Sequence, residues 1–65
     1  MNYIEGNKEF IDFLKAKGIK KYPHFGFVNL ACSYFGFSDK TVKERIRHMH
    51  QTGLIENDGQ NWVLK

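Results

Sequence analysis

A mainly α-helical domain with a small β-hairpin is predicted from three observations. Val42, Ile46 and Met49 recur at the i, i+4, i+7 spacing of one helix face. Gly53 follows them and supplies the left-handed conformation that ends a helix. Leu54-Ile55 and Trp62-Val63-Leu64 then flank Asp58-Gly59, a strong tight-turn dipeptide. The expected elements are helices over about 7–17, 25–35 and 38–52 and a two-stranded hairpin over about 54–64.

The 65 residues are read as one domain, 1–65. A domain this small buries only about 60% of its unfolded surface, so its core must be efficient. Hydrophobic residues make up 42% of the chain, enough for a globular core. Six Phe, three Tyr and one Trp provide large side chains to fill it. A single cysteine cannot form an internal disulfide, which suits a reducing compartment. No run of about 18 apolar residues and no charged-then-apolar leader is present. The expected location is therefore the cytoplasm, with no membrane partner. The net charge of +3 leans towards a polyanionic partner, and the placement of the charges matters more than their sum.

In chain order, Met1–Gly6 is a lead-in whose Tyr3 and Ile4 are expected to pack back onto the body. Asn7 is read as the cap of the first helix, with Phe10, Ile11, Phe13 and Leu14 as its apolar stripe and Gly18 as its stop. Glu9 and Asp12 lie early and Lys15 and Lys17 late, the order the helix dipole prefers. In the connector, Ile19 is placed to pair as a short strand beside the hairpin, and Pro23 suits the start of the next helix. Val28, Ala31, Cys32 and Phe35 share one face of the second helix, and Gly26 weakens its beginning. Gly36-Phe37 makes the turn to Ser38, whose hydroxyl is expected to accept a first-turn N–H. The expected core is Val28, Cys32, Phe35, Val42, Ile46, Met49, Leu54, Ile55 and Trp62.

The stretch Ala31-Cys32-Ser33-Tyr34-Phe35-Gly36-Phe37-Ser38 has the small residue, glycine turn and serine cap of a helix-turn-helix. Thr41-Val42, Ile46, Met49 and Gly53-Leu54-Ile55 follow in the order of a recognition helix and its exit. From Val28 to Leu64 the chain resembles the winged helix-turn-helix family. That resemblance implies a three-helix domain with a two-stranded wing, whose third helix enters the major groove of duplex DNA. By position it implies that Ser38, Lys40, Thr41, Lys43 and Arg47 face DNA. The chain departs from the family at the tip Glu56-Asn57-Asp58-Gly59-Gln60-Asn61, which has two acids and no Lys or Arg. Glu44 also falls on the reading face, where it could accept from cytosine N4.

The leading functional expectation is a small transcriptional regulator that binds double-stranded DNA. Lys40, Lys43 and Arg47 would contact phosphates or base edges. Lys15, Lys17, Lys20 and Lys21 form the densest basic stretch, with no acid among residues 13–24. Lys20 and Lys21 are counted as candidate DNA contacts flanking the groove; solubility at a loop is the plainer use of such a run. One alternative is a protein-interaction adaptor in a replication or transcription complex, favoured by the acidic tip and the aromatic excess. Another is single-stranded DNA binding through Tyr22, Phe25 and Tyr34 with Lys20 and Lys21. A lone module of this size binds weakly, so a homodimer or a larger protein partner is expected. Small size also fits a phage or mobile-element origin.

His48 and His50 point about 200° apart on a helix and do not share a metal. Cys32 is expected to be buried as a small apolar residue. Arg45 is expected to lay its stem on the core and to pair with an acid. No phosphate loop, metal-binding helix motif or nucleophile with a positioned base is present, so no enzyme activity, cofactor or metal is expected.

Overall fold

The computed structural model describes the backbone of residues 3–65 and the side chains of residues 5–65. The side chains of Tyr3 and Ile4, expected to pack onto the body, lie outside the described residues. The order is α1 (Tyr3–Ala16), β1 (Lys21–Pro23), α2 (His24–Phe35), α3 (Asp39–Gln51), β2 (Ile55–Asn57) and β3 (Asn61–Leu64). The described residues are thus mainly helical, forming three helices and one small antiparallel sheet.

α1 begins before Asn7, which is not its cap but a fully buried interior residue. Tertiary partners explain the difference: the Asn7 amide is used by side chains of α3 rather than by its own first turn. α1 and α3 end in the same way. Gly18 (φ +82) and Gly53 (φ +81) take the left-handed conformation that side chains disfavour. Their N–H groups bond to the carbonyls of Lys15 and His50, and those of Ile19 and Leu54 bond to Leu14 and Met49. This is the Schellman pattern, which satisfies carbonyls the helix end would leave open.

Ser38 precedes α3 in an extended conformation, as a cap residue should, and its carbonyl accepts the Val42 N–H at 2.9 Å. Its hydroxyl makes no capping bond, contrary to expectation. The hydroxyl donates instead to Thr41 Oγ1 at 3.4 Å.

The sheet has three strands in the order β1-β3-β2. Lys21 pairs with Val63 and Tyr22 with Trp62, while Ile55 pairs with Leu64 and Asn57 with Trp62. The expected two-stranded hairpin therefore gains a third strand, at Lys21–Pro23 rather than at Ile19. The Ile19 N–H is committed to the end of α1 through Leu14, so pairing with β3 starts at Lys20, whose carbonyl accepts the Leu64 N–H at 2.8 Å. The β2–β3 turn is held by Asp58, whose Oδ1 accepts the N–H groups of Gln60 (3.0 Å) and Asn61 (2.7 Å).

The core joins Phe10, Ile11 and Leu14 of α1 to Phe27, Val28 and Ala31 of α2, to Val42, Ile46 and Met49 of α3, and to Ile55 and Trp62 of the sheet. Cys32, Phe35 and Leu54, expected inside, are only partly buried at its edge. The buried face of α2 is turned towards Phe27, which meets the ring of Phe10 edge-on with centroids 5.6 Å apart. Phe10 also contacts Tyr34 at 5.0 Å and Phe35 at 5.2 Å, making it the aromatic hub between α1 and α2. Phe13 falls at the margin of the α1 stripe and stays 43% exposed. Gly26 belongs in α2 because a Cβ there would come within 3.2 Å of the Tyr22 ring.

Candidate nucleic-acid interface

The rotation of α3 is set by what it buries. Val42, Ile46 and Met49 face the core, and Arg45 joins them at 7% exposure. The Arg45 guanidinium lies over the Phe35 ring, 4.3 Å from its centroid, and 5.5 Å from that of Phe37. These two rings are nearly parallel, at 7°. Arg45 Nε donates to Asn7 Oδ1 at 3.1 Å. A buried guanidinium without such support would be costly, because it always carries charge. Arg45 thus works through stacking and an amide, as a structural residue of the α1–α3 contact.

That bond fixes the next one. Arg45 can only donate, so the oxygen of the Asn7 amide faces it and the NH2 group faces His48. Asn7 Nδ2 lies 3.1 Å from His48 Nδ1, which must then be the acceptor. His50 turns the other way and meets the Trp62 ring edge-on at 5.3 Å. The two histidines of α3 therefore serve different neighbours, as their spacing requires. Among the described residues, no group of three His, Cys, Asp or Glu side chains is arranged to hold a metal ion.

With this side locked, helical geometry turns Lys40, Lys43, Glu44 and Arg47 outwards. The four line one open depression on the surface of α3. Three cations and one carboxylate leave the patch net positive. Among the described residues these side chains make no ion pair or hydrogen bond with one another, so their charges face solvent. Ser38, at the start of α3, is also exposed, whereas Thr41 is half-buried.

The sheet is pinned to the start of α2 through Trp62. Its indole Nε1–H donates to His24 Nδ1 at 2.9 Å, which leaves Nε2 as the protonated nitrogen of a neutral His24 ring. At the turn, Asp58 is held below the usual carboxylate range by the backbone N–H groups of Gln60 and Asn61, with a further contribution from the charge of Lys21. Glu56 pairs with Lys65 at 3.7 Å, an exposed contact of small value. Of the two acids of the tip, Asp58 thus has a structural use in the turn. Cys32, expected to be buried, is half-buried and donates to Asp39 Oδ1 at 3.3 Å. Its thiol is pushed up first by desolvation, then by the bond and charge of Asp39.

The other candidate residues are spread around the fold. Lys21 lies on β1, near enough to Asp58 to influence it. Lys20 lines a different depression, with Lys15, Gly18, Ile19 and Leu64, none of them on α3. The aromatic residues are also dispersed. Phe27 is buried, Tyr22 and His24 are half-buried, and Phe25 is 79% exposed at the start of α2. Phe25 and Tyr34 are nine residues apart on one helix, so they project on opposite sides of it. Asn7, His24 and Trp62 position the elements of the site, and single-residue patterns did not mark Asn7 or His24 for that task.

No family model, curated protein or solved structure matches this chain. No helix among the described residues is long and apolar enough to cross a membrane.

Proposed function

We propose that the chain is a winged helix-turn-helix protein that binds double-stranded DNA, acting as a small transcriptional regulator. The observation that carries this proposal is the α3 patch: Lys40, Lys43 and Arg47 are exposed together on a helix whose opposite face is locked by Arg45, Val42, Ile46 and Met49. A rigid helix with cations on its outer face suits the major groove, which admits an α-helix. The order α2, glycine turn, α3 and antiparallel strands supports the family assignment. In this proposal Lys40, Lys43 and Arg47 contact phosphates or guanine edges, and Ser38 and Thr41 contact phosphate at the start of α3. Glu44 disfavours some base pairs and accepts from cytosine N4. Lys21 reaches a flanking phosphate, while Lys20 belongs to the other depression. The β2–β3 turn, with two acids and no Lys or Arg, contributes no phosphate contact.

Reversing charge at Lys43 and Arg47 tests this function. Both are exposed, so the variant keeps its fold, and duplex affinity falls by about a hundredfold or more at low salt. Unchanged affinity in the folded variant would rule out α3 as the DNA-binding element.

A further inference from the structure

A second surface lies away from the outer face of α3. Phe13, Leu14 and Lys17 of the α1 end, Ile19 of the connector and Leu30, Ser33 and Tyr34 of α2 enclose an open apolar groove of about 310 Å³. It meets the depression lined by Lys15, Lys20 and Leu64 at Ile19. Its walls are large apolar groups left in water: Phe13 is 43% exposed and Tyr34 40% exposed, with ring centroids 5.1 Å apart. Exposed apolar surface gathered in this way marks a contact site more often than scattered single residues do.

The charge around the groove selects the occupant. Lys15, Lys17 and Lys20 border the two depressions, and neither contains a carboxylate among its described lining residues. A second copy of the chain would bring its own three cations against these, a repulsive pairing. A single-stranded nucleic acid would need a free ring face on which to stack bases. Lys17 Nζ already sits 4.8 Å from the centroid of Phe13, over its ring. Tyr34 is packed against Phe10, Phe13 and Phe35 at inclined angles. What remains open is the space between the rings and the aliphatic floor of Leu14, Ile19 and Leu30, which suits an inserted side chain.

We infer that this groove docks an acidic amphipathic peptide segment of a partner protein, with an aromatic or branched aliphatic anchor between Phe13, Leu30 and Tyr34 and carboxylates against Lys15, Lys17 and Lys20. The groove shares no lining residue with the α3 patch, so this docking stands whether or not α3 binds DNA. If both operate, the chain links its partner to a nucleic acid.

The test selects a displayed library of random peptides against the immobilised full chain. Recovered peptides are then titrated into the 15N-labelled protein, with oligothymidylate as a parallel probe. The expected result is convergence on acidic peptides with a large apolar residue, and saturable amide shifts at Leu14, Ile19, Leu30, Ser33 and Tyr34. Two exposed-site variants read the two halves of the mechanism. Lys15→Glu/Lys17→Glu/Lys20→Glu should weaken binding by about tenfold or more. Phe13→Lys should also weaken it by about tenfold, although it adds a charge of the attracting sign. The inference is overturned if no acidic consensus emerges, if the shifts fall elsewhere, or if Phe13→Lys binds as well as or better than the parent. It is also overturned if oligothymidylate shifts the groove amides and the peptides do not, or if the chain self-associates through them.

Discussion

Arg45 Nε donates to Asn7 Oδ1 at 3.1 Å, joining α3 to α1 inside the protein across a sequence separation of 38 residues. Together with the burial of Val42, Ile46 and Met49, the bond holds the rotation of α3, and therefore which of its side chains face solvent. It also orients the Asn7 amide towards His48. Removing either partner leaves a buried polar group without its mate, which costs more than the bond contributes.

Asn7→Ala should lower stability by about 2–4 kcal/mol, combining a lost acceptor for a buried charged group with a small cavity. Asn7→Leu combined with Arg45→Met should cost less than the sum of the single changes, since both polar partners are removed together. Urea denaturation of the four proteins measures the interaction. Additive losses would show that the pair does not act as one.

The same network fixes a tautomer. His48 should carry its proton on Nε2, with Nδ1 accepting from Asn7. Long-range 1H–15N spectra of the imidazole ring distinguish the two nitrogens, and an Nδ1-protonated neutral ring would contradict the assigned orientation of Asn7.

Phe10 and Phe25 offer a contrast between two residues of one type. Phe10 is fully buried among Phe27, Tyr34 and Phe35, whereas Phe25 is 79% exposed. Phe10→Ala should cost about 3–5 kcal/mol, a large share of the total stability of so small a domain. Phe25→Ala should change it by less than about 0.5 kcal/mol. Thermal or urea unfolding compares them directly.

Asp58 makes the β2–β3 turn sensitive to acid. Its folded pKa is depressed by the N–H groups of Gln60 and Asn61, so its contribution is fully present above the unfolded carboxylate value of about 4. That contribution is lost as pH falls through the lower folded value. Asp58→Asn keeps an acceptor oxygen but cannot titrate. The parent should therefore lose stability relative to Asp58→Asn as the pH drops below about 4, measured by urea midpoints across the acid range. Parallel curves for the two proteins would mean that the Asp58 bonds carry no charge-dependent stabilisation.

The outward face of α3 was readable from sequence because Val42, Ile46 and Met49 follow a helical period and so place Lys40, Lys43 and Arg47 opposite them. Gly18, Gly36 and Gly53 marked helix ends because each needs positive φ. Asn7 was misread for a physical reason: an Asn before an apolar stripe looks the same in one dimension whether it caps a helix or bonds to a distant arginine. β1 is three residues long and contains a proline, so it is too short for its alternation to mark a strand in sequence; β3 defines it by pairing. The Phe13–Tyr34 groove was also hidden, because Phe13 reads as part of the apolar stripe of α1 and only the packing of α1 on α2 leaves the two rings partly in solvent.

The most direct test of the central claim is fluorescence anisotropy of labelled duplex and single-stranded oligonucleotides titrated with the chain across a salt series. Duplex binding is predicted, with log affinity falling linearly against log salt and a slope reduced by about 2 in Lys43→Glu/Arg47→Glu. Absence of duplex binding at low salt, or a salt slope unchanged by that variant, would contradict the assignment of α3 as a DNA-binding helix.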